Sequence, residues 1–214
     1  VRSRGLGDVY KRQIEDYVAL CRETEARFGG RIAALELNAA CPNVSHGAGF
    51  YSRDPQAARE LVQAVREAVV LPVFLKFNTN FPNYLEVAAA VEAAGADALY
   101  TTNTPLGMKI DLHRRRPALG NGRGPICGPA IRPIGVLRTW ELYEAVRLPI
   151  IASGGIRTWE DAVEYLLAGA CAVGVGSAQF VQPDAASDIL SGLERYAAAE
   201  GLECLTPLVG AAHP

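Results

Sequence analysis

Amide and thiol side chains follow directly after a short apolar run near the start of the chain. Residues 35–43 read LELNAACPN, which brings Asn38, Cys41 and Asn43 close together. An amide both donates and accepts hydrogen bonds, so it suits a ring that alternates N–H and C=O groups, as a pyrimidine does. A cysteine beside such a ring can act as a general base when its pKa lies near the working pH. The alternative for Cys41 is a small buried apolar side chain within a turn.

A lysine and a further amide follow two other apolar runs. Lys76 comes after Val-Phe-Leu, and burying its ammonium group is costly unless the group meets an anion or an acceptor. The pattern therefore predicts either a binding site or a paired carboxylate at Lys76. Asn103 and Thr104 follow the run ALYTT, where the alternative is an ordinary Asx or Ser/Thr turn.

Two glycine loops could bind a phosphate. Ser153, Gly154 and Gly155 follow one apolar run, and Gly176 and Ser177 follow the next. Glycine allows backbone N–H groups to approach a phosphate closely, and the start of a following helix adds a partial positive charge. Each loop alone is a weak signal, but the two together predict a ligand that is anchored through a phosphate.

Alternating helical and apolar segments must position these residues. The periodicity predicts helices at about 14–28, 55–69, 84–94, 134–146 and 158–168, and strands at 33–37, 72–77, 96–101, 149–152 and 172–175. Such alternation is typical of right-handed βαβ units around a parallel sheet. The polar residues and glycines named above all follow predicted strands.

An α/β fold of this kind is either a barrel or an open doubly wound sheet. A Gly-Gly loop that is followed one unit later by a Gly-Ser loop is typical of the phosphate site after strands seven and eight of a (β/α)8 TIM barrel, so we favour the barrel. The first predicted strand would then be the fourth, and this chain would be a partial barrel that lacks about the first three strands. Residues 102–133, with the apolar segment MKIDL, would form a long ordered excursion that contains a hairpin and has a functional role; the alternative is a disordered loop.

Composition argues against several other classes. The formal net charge is −2, and the basic run at 113–116 lacks interleaved aromatic residues, so we predict a solvated loop or a subunit contact there and no nucleic-acid partner. His46 and His213 have no partners at ligand spacing, so no metal site is predicted. No apolar run approaches the roughly 18–20 residues that span a bilayer, so no membrane partner is expected.

The cysteines and the first residues bear on cellular context and on domain organisation. The five cysteines include no C-x-x-C pair, which fits a reducing cytoplasm rather than a disulfide framework. Residues 1–13 are basic and lack the apolar core of a secretory signal, and they resemble translated adapter sequence. We interpret 1–13 as a leader that is not native and 14–214 as the C-terminal part of one barrel.

Six motifs in order resemble those of class 1 dihydroorotate dehydrogenases. They are N-x-x-C-P-N, the strand lysine, N-T-P-L-G-M, RRRPALGNGRGPICGPAIRP, the S-G-G-I loop and the V-G-S-A loop. The resemblance runs from about Ile14 to the C-terminal LVGAAHP. Cysteine at position 41 is similar to the soluble class, and the segments GMKIDL and RRRPALGNG resemble the NAD-linked branch, which pairs with an iron–sulfur flavoprotein subunit.

The resemblance implies FMN-dependent oxidation of dihydroorotate to orotate in pyrimidine (UMP) biosynthesis. Cys41 would be the general base, and the pyrimidine and its carboxylate would be held by Asn38, Asn43, Asn103 and Thr104. The flavin ring and its ribityl phosphate would be contacted by Lys76, Gly128, Ser153, Gly154, Gly155, Gly176 and Ser177. The resemblance also implies a homodimer that is joined by an electron-transfer subunit containing FAD and an iron–sulfur cluster. Two alternatives stay open, a pyrimidine oxidoreductase similar to dihydropyrimidine dehydrogenase and an inactive truncated barrel.

Overall fold

Five parallel strands form the central sheet of the computed structural model, which describes residues 14–40 and 48–214. The sheet strands are β1 (Leu35–Asn38), β2 (Val73–Lys76), β3 (Ala98–Thr101), β8 (Ile150–Ser153) and β9 (Ala172–Gly174). The α-helices are α1 (Ile14–Phe28), α2 (Ala48–Tyr51), α3 (Pro55–Arg66), α4 (Tyr84–Ala93), α5 (Arg132–Ala145), α6 (Trp159–Leu167), α7 (Ala178–Val181) and α8 (Ala185–Ala199). The predicted alternation of helices and parallel strands is confirmed.

The order of the strands distinguishes a barrel from an open doubly wound sheet. Strands β1, β2, β3, β8 and β9 lie side by side in that order, and all four pairings are parallel. A doubly wound sheet reverses its strand order at a switch point, whereas the order here advances in one direction. The described strands therefore form a consecutive part of a (β/α) barrel, as predicted.

Side chains alternate across the sheet and divide it into two faces. Leu37, Leu75, Leu99 and Ile150 are almost completely buried against the outer helices. On the opposite face, which would be the inside of a barrel, the last strand positions carry Asn38, Lys76 and Ser153 at intermediate burial, while Tyr100 precedes the end of β3. The polar ends of the strands therefore share one face and one edge of the sheet.

Helix caps set the positions of α3 and α6. Asp54 Oδ1 accepts hydrogen bonds from the backbone N–H groups of Gln56 and Ala57, at 2.9 and 3.1 Å, so Asp54 is the N-cap of α3 and Pro55 lies in its first turn. At α6, Thr158 and Asp161 form a capping box. Because α6 follows the Gly-Gly loop directly, this box also fixes where that loop ends.

The long excursion between β3 and α5 is ordered in the described structure. It contains two small antiparallel pairs, formed by β4 (Leu106–Gly107) with β7 (Gly124–Pro125) and by β5 (Ile110–Asp111) with β6 (Arg116–Pro117). A 3-10 turn at Pro129–Ile131 then leads into α5. The excursion is thus a nested pair of hairpins.

Some boundaries and elements differ from those predicted. Strand β1 begins at Leu35 and reaches Asn38, where it pairs with Lys76, because the register with β2 rather than the local apolar run defines the strand. Helix α5 begins at Arg132, since Pro133 is well suited to a first helical turn. Helix α8 was not predicted, although it packs against α6. The interpretation of 1–13 as a leader concerns residues outside the described ones.

Over the described residues, no helix is both long and apolar enough to cross a membrane.

Candidate functional site

A cavity of about 270 Å³ lies at the carboxyl ends of β2, β3, β8 and β9. The seven residues that were predicted to contact a cofactor all line this cavity: Lys76, Gly128, Ser153, Gly154, Gly155, Gly176 and Ser177. Thr104, which was assigned to the substrate, also lines it. The structure therefore brings together residues that are far apart in the sequence.

The segment at Gly128 meets the Gly154-Gly155 loop at one side of the cavity. Gly128, Gly154 and Gly155 have φ angles of 94°, 125° and 74°, which side chains rarely allow. A Cβ atom at Gly155 would lie 2.8 Å from the Gly128 carbonyl oxygen and 2.9 Å from the Arg132 backbone nitrogen. This close approach requires glycine at position 155 and builds a cradle that consists largely of backbone.

An ionic cluster lies behind the Gly-Gly loop. Asp161 accepts hydrogen bonds from the Arg157 and Thr158 backbone N–H groups at 2.8 and 3.1 Å, and it also pairs with the Arg132 guanidinium. The Arg132 Nε atom lies 3.0 Å from Glu164 Oε2. Because Arg132 begins α5 and Asp161 lies in the first turn of α6, the cluster joins the starts of both helices to the end of the loop.

Lys76 reaches the cavity beside an aromatic ring. Its Nζ atom lies 5.1 Å from the centroid of the Tyr100 ring, a cation–π distance. A side chain at Gly174 would overlap the Tyr100 hydroxyl, so glycine there leaves room for the tyrosine. Within the part of the chain that the structure describes, no carboxylate lies within ion-pair distance of Lys76. This favours the site interpretation of Lys76 over the paired carboxylate.

The amide of Asn38, at the end of β1, and the amide of Asn103, after β3, both form hydrogen bonds with the backbone of Ala40. Asn103 Nδ2 donates to the Ala40 carbonyl at 2.8 Å, and Asn38 Oδ1 accepts from the Ala40 backbone N–H at 3.2 Å. Both contacts lie one residue before Cys41. Cys41 and Asn43 themselves lie outside the described residues, and their roles stay predictions.

Hydrogen bonds join the end of β2 to these amides through residues that the sequence analysis did not assign to the site. Asn80 Nδ2 donates to the Asn103 carbonyl at 3.0 Å and to Asn78 Oδ1 at 2.7 Å. Ser52, which is completely buried, donates to the Ala39 carbonyl at 2.7 Å and accepts from the Asn78 N–H at 3.0 Å. The signal for Asn78 and Asn80 was available, because both follow a predicted strand just as Asn38 does.

Several other residues that line the cavity were not predicted from the sequence. They are Tyr100, Thr102, Cys127, Ile131, Ile156, Gly174 and Val175. Cys127 precedes Gly128, which was predicted to contact the cofactor, so Cys127 could have been predicted with it. Tyr100 carried no local signal, since a tyrosine within a strand is ordinarily a packing residue.

Lys76 is the one lysine or arginine among the described residues that line the cavity. An anionic group bound at the glycine loops would therefore be held mainly by backbone N–H groups. No group of three or more His, Cys, Asp and Glu side chains that could hold a metal ion occurs within 14–40 and 48–214. The arrangement suits a phosphorylated organic ligand whose ring extends toward Lys76.

Fold and site together define a class of protein, a (β/α) barrel with a glycine-built anion cavity at the carboxyl ends of its strands. The family model described as dihydroorotate dehydrogenase matches residues 6–196 of the chain. The chain therefore belongs to the dihydroorotate dehydrogenase family.

Individual relatives agree with this assignment. The chain is 44% identical over 199 residues to a protein of Desulforamulus reducens named dihydroorotate dehydrogenase B (NAD(+)), catalytic subunit, covering 93% of this chain and 65% of that protein. A protein of Desulforudis audaxviator with the same name is 46% identical, with coverage of 88% and 63%. The chain thus spans about two thirds of the length of these relatives.

A solved structure confirms the fold. The dihydroorotate dehydrogenase of Eimeria tenella, crystallised in complex with ferulenol, matches with a TM-score of 0.76 at 21% sequence identity. The match covers 94% of this chain and 58% of that one. At this identity the likeness concerns the fold alone.

Proposed function

We propose that this chain forms the cofactor and substrate site of an FMN-dependent dihydroorotate dehydrogenase, which oxidises (S)-dihydroorotate to orotate in UMP biosynthesis. The observation that carries the proposal is the single cavity lined by all seven residues that were assigned to FMN from the sequence. The similarity to relatives named dihydroorotate dehydrogenase B supports the same substrate.

The chemistry of the cavity fits FMN. The crowded contact of Gly155 with Gly128 and Arg132 excludes side chains from the cradle and leaves backbone N–H groups to meet a phosphate. At the other end, the Lys76 ammonium lies beside the Tyr100 ring and would stabilise negative charge on a reduced flavin. We assign the phosphate to Ser153, Gly154, Gly155, Gly176 and Ser177, with Gly128 beside them, and the flavin ring to Lys76.

The residues of this chain would supply the proton transfer and the orientation of the substrate. Bound FMN supplies a two-electron acceptor for the hydride that leaves C6 of dihydroorotate. The Cys41 thiolate takes the C5 proton, so that the C5–C6 bond becomes the double bond of orotate. Asn38, Asn43, Asn103 and Thr104 hold the pyrimidine edge and its carboxylate by hydrogen bonds. The contacts of Asn38 and Asn103 with Ala40 support a position close to the base.

The relatives named as catalytic subunits also support a second subunit as partner. We propose that the chain forms a homodimer that passes electrons to NAD through an iron–sulfur subunit containing FAD. The exposed apolar side chains of the excursion support a contact surface, since large solvated apolar patches are uncommon without a partner. They are Leu106, Met108, Ile110, Leu112, Leu119 and Ile126. A cytoplasmic location remains a prediction from cysteine usage.

Flavin reduction tests the proposed reaction. The chain is incubated with FMN without oxygen, dihydroorotate is added, and the loss of flavin absorbance is followed. We expect dihydroorotate to bleach the flavin and dihydrouracil to leave it oxidised. Bleaching by dihydrouracil alone would instead indicate a dihydropyrimidine dehydrogenase activity, and bleaching by neither compound would contradict both activities.

Replacement of the proposed base gives a sharper test. Cys41→Ala is expected to slow bleaching by dihydroorotate at least about a hundredfold, because general base catalysis contributes about that much, while FMN affinity is unchanged. Cys204→Ala is the matched control, since Cys204 is an exposed free thiol that does not line the cavity. Equal bleaching rates in the two variants would show that Cys41 is not the base.

A further inference from the structure

Tyr165 on α6 places its hydroxyl behind the Gly-Gly loop. Its side chain is completely buried, and the hydroxyl donates to the Gly154 carbonyl at 2.7 Å. The carbonyl oxygens of Ser153 and Arg132 lie farther away, at 3.4 and 3.5 Å. A hydroxyl has one proton to donate, so the short contact identifies Gly154 as its main acceptor.

The fold leaves a fitted space for this hydroxyl. A Cβ atom at Gly135 on α5 would overlap the Tyr165 hydroxyl, and a Cβ atom at Gly154 would lie 3.3 Å from it. Burial, followed by the nearby Glu164 carboxylate, raises the pKa of Tyr165, so the hydroxyl stays protonated and able to donate at neutral pH. Tyr165 is not among the residues that line the cavity, whereas Gly154, which its hydroxyl contacts, does line it.

Peptide geometry converts this contact into an orientation of the next N–H group. The carbonyl of one residue and the N–H of the next point in opposite directions across a planar trans peptide bond. With the Gly154 carbonyl directed at Tyr165, the Gly155 N–H points away from the buried side. Within residues 14–40 and 48–214 no acceptor is recorded for this N–H, although Gly155 lines the cavity. An unpaired N–H group at a cavity wall is a donor available to a ligand.

We propose that the Tyr165 hydroxyl is a positioning group for the anion site: it holds the Gly154 carbonyl on the buried side and so keeps the Gly155 N–H directed at the ligand phosphate. The proposal rests on the FMN site described above. Tyr165 does not touch the ligand and acts through one peptide unit. The ionic cluster of Arg132 and Asp161 holds the end of the same loop, and the Tyr165 hydroxyl bonds to its centre.

A comparison of FMN with riboflavin isolates the phosphate contribution, because riboflavin lacks the phosphate. Tyr165→Phe keeps the ring and removes the hydroxyl. We expect this variant to lower the affinity ratio of FMN to riboflavin by about three- to tenfold, the range expected for one hydrogen bond, with riboflavin affinity unchanged. Quenching of flavin fluorescence measures both affinities, and binding of inorganic phosphate, followed at the Gly155 amide by NMR, gives a measurement without flavin.

Tyr84→Phe is the matched control. Tyr84 is also buried, and its hydroxyl bonds to Glu141 between α4 and α5, outside the cavity. This variant should melt earlier yet keep the wild-type ratio and phosphate affinity. Wild-type ratios in both variants would overturn the role of Tyr165 and leave the FMN site standing. A wild-type chain that binds neither FMN nor phosphate would overturn the site and this inference together, whereas FMN binding without bleaching by dihydroorotate would contradict only the proposed reaction.

Discussion

The backbone conformation at Gly155 restricts which residue types can occupy this position of the proposed phosphate cradle. The residue combines a φ angle of 74° with contacts that a Cβ atom would crowd on two sides. Gly201 has a nearly equal φ angle of 68°, but a Cβ atom there would meet nothing within 4 Å. Alanine at Gly201 would therefore cost only the strain of a left-handed backbone. Alanine at Gly155 would add the steric overlap of its Cβ atom with Gly128 and Arg132.

Gly155→Ala is expected to lower FMN affinity at least about tenfold, because the added methyl group must push the Gly128 loop out of the cradle. Gly201→Ala should lose only the backbone term, about 1 kcal/mol of unfolding free energy, and keep its FMN affinity. Flavin fluorescence titration and urea unfolding measure the two quantities. If both variants bound FMN equally well, the close contact between Gly155 and Gly128 would not matter for FMN binding.

Tyr84 on α4 contacts two charged side chains of α5. Tyr84 is 3% exposed, its hydroxyl donates to Glu141, and the Arg138 guanidinium lies 4.6 Å from the centre of its ring. Burial, reinforced by the hydrogen bond to Glu141, raises the pKa of Tyr84 from 10.0 to about 12. None of Tyr84, Arg138 and Glu141 lines the cavity, so this contact bears on the stability of the fold.

The raised pKa of Tyr84 should make the unfolding free energy depend on pH in the alkaline range. Between pH 10 and about 12 the unfolded chain loses the Tyr84 proton while the folded chain keeps it, so stability falls as pH rises through this range. From pH 9 to 11, the unfolding free energy of the wild type should fall about 1 kcal/mol more than that of Tyr84→Phe. Urea unfolding at both pH values measures the difference, which other tyrosines do not affect because they are common to both proteins. An identical fall would show that Tyr84 ionises normally in the fold.

The excursion gives the molecule an exposed apolar surface beside the cavity. Met108 and Leu112 are 60% and 82% exposed, and the basic run at 113–116 follows Leu112 in the sequence. Residues of this kind, apolar with arginine, are typical of contact surfaces between proteins. The same excursion also carries Cys127 and Gly128, which line the cavity.

Met108→Glu is expected to weaken the proposed homodimer at least about tenfold, because a carboxylate would be desolvated at the contact. Leu190→Glu on α8 is the control, since Leu190 is 57% exposed, close to the 60% of Met108, but lies on another element. Sedimentation velocity over a range of concentrations measures the self-association. A dimer that survives Met108→Glu but not Leu190→Glu would move the interface to α8.

Much of the fold and part of the site could be predicted because their signals are local. The period of apolar residues, the Asp54-Pro55 cap and the polar residues after each strand all act over a few positions. Once the strands are parallel, their carboxyl ends must share an edge, and this brought Lys76, Ser153 and Gly176 to one cavity without further information. Helix α8 was missed although its buried residues Ala185, Ile189, Gly192 and Leu193 recur at helical spacing.

The sequence by itself determined a parallel α/β barrel segment with polar and glycine residues at its strand ends, because side-chain periodicity and turn chemistry are properties of neighbouring residues. Only the tertiary structure decided that Gly128 touches Gly155, that Tyr100 lies beside Lys76 and that the Tyr165 hydroxyl meets Gly154. The first two contacts join residues more than twenty positions apart, and the third depends on how α6 packs against α5 and the loop. Such contacts follow from the close packing of whole elements, which no short stretch of sequence encodes.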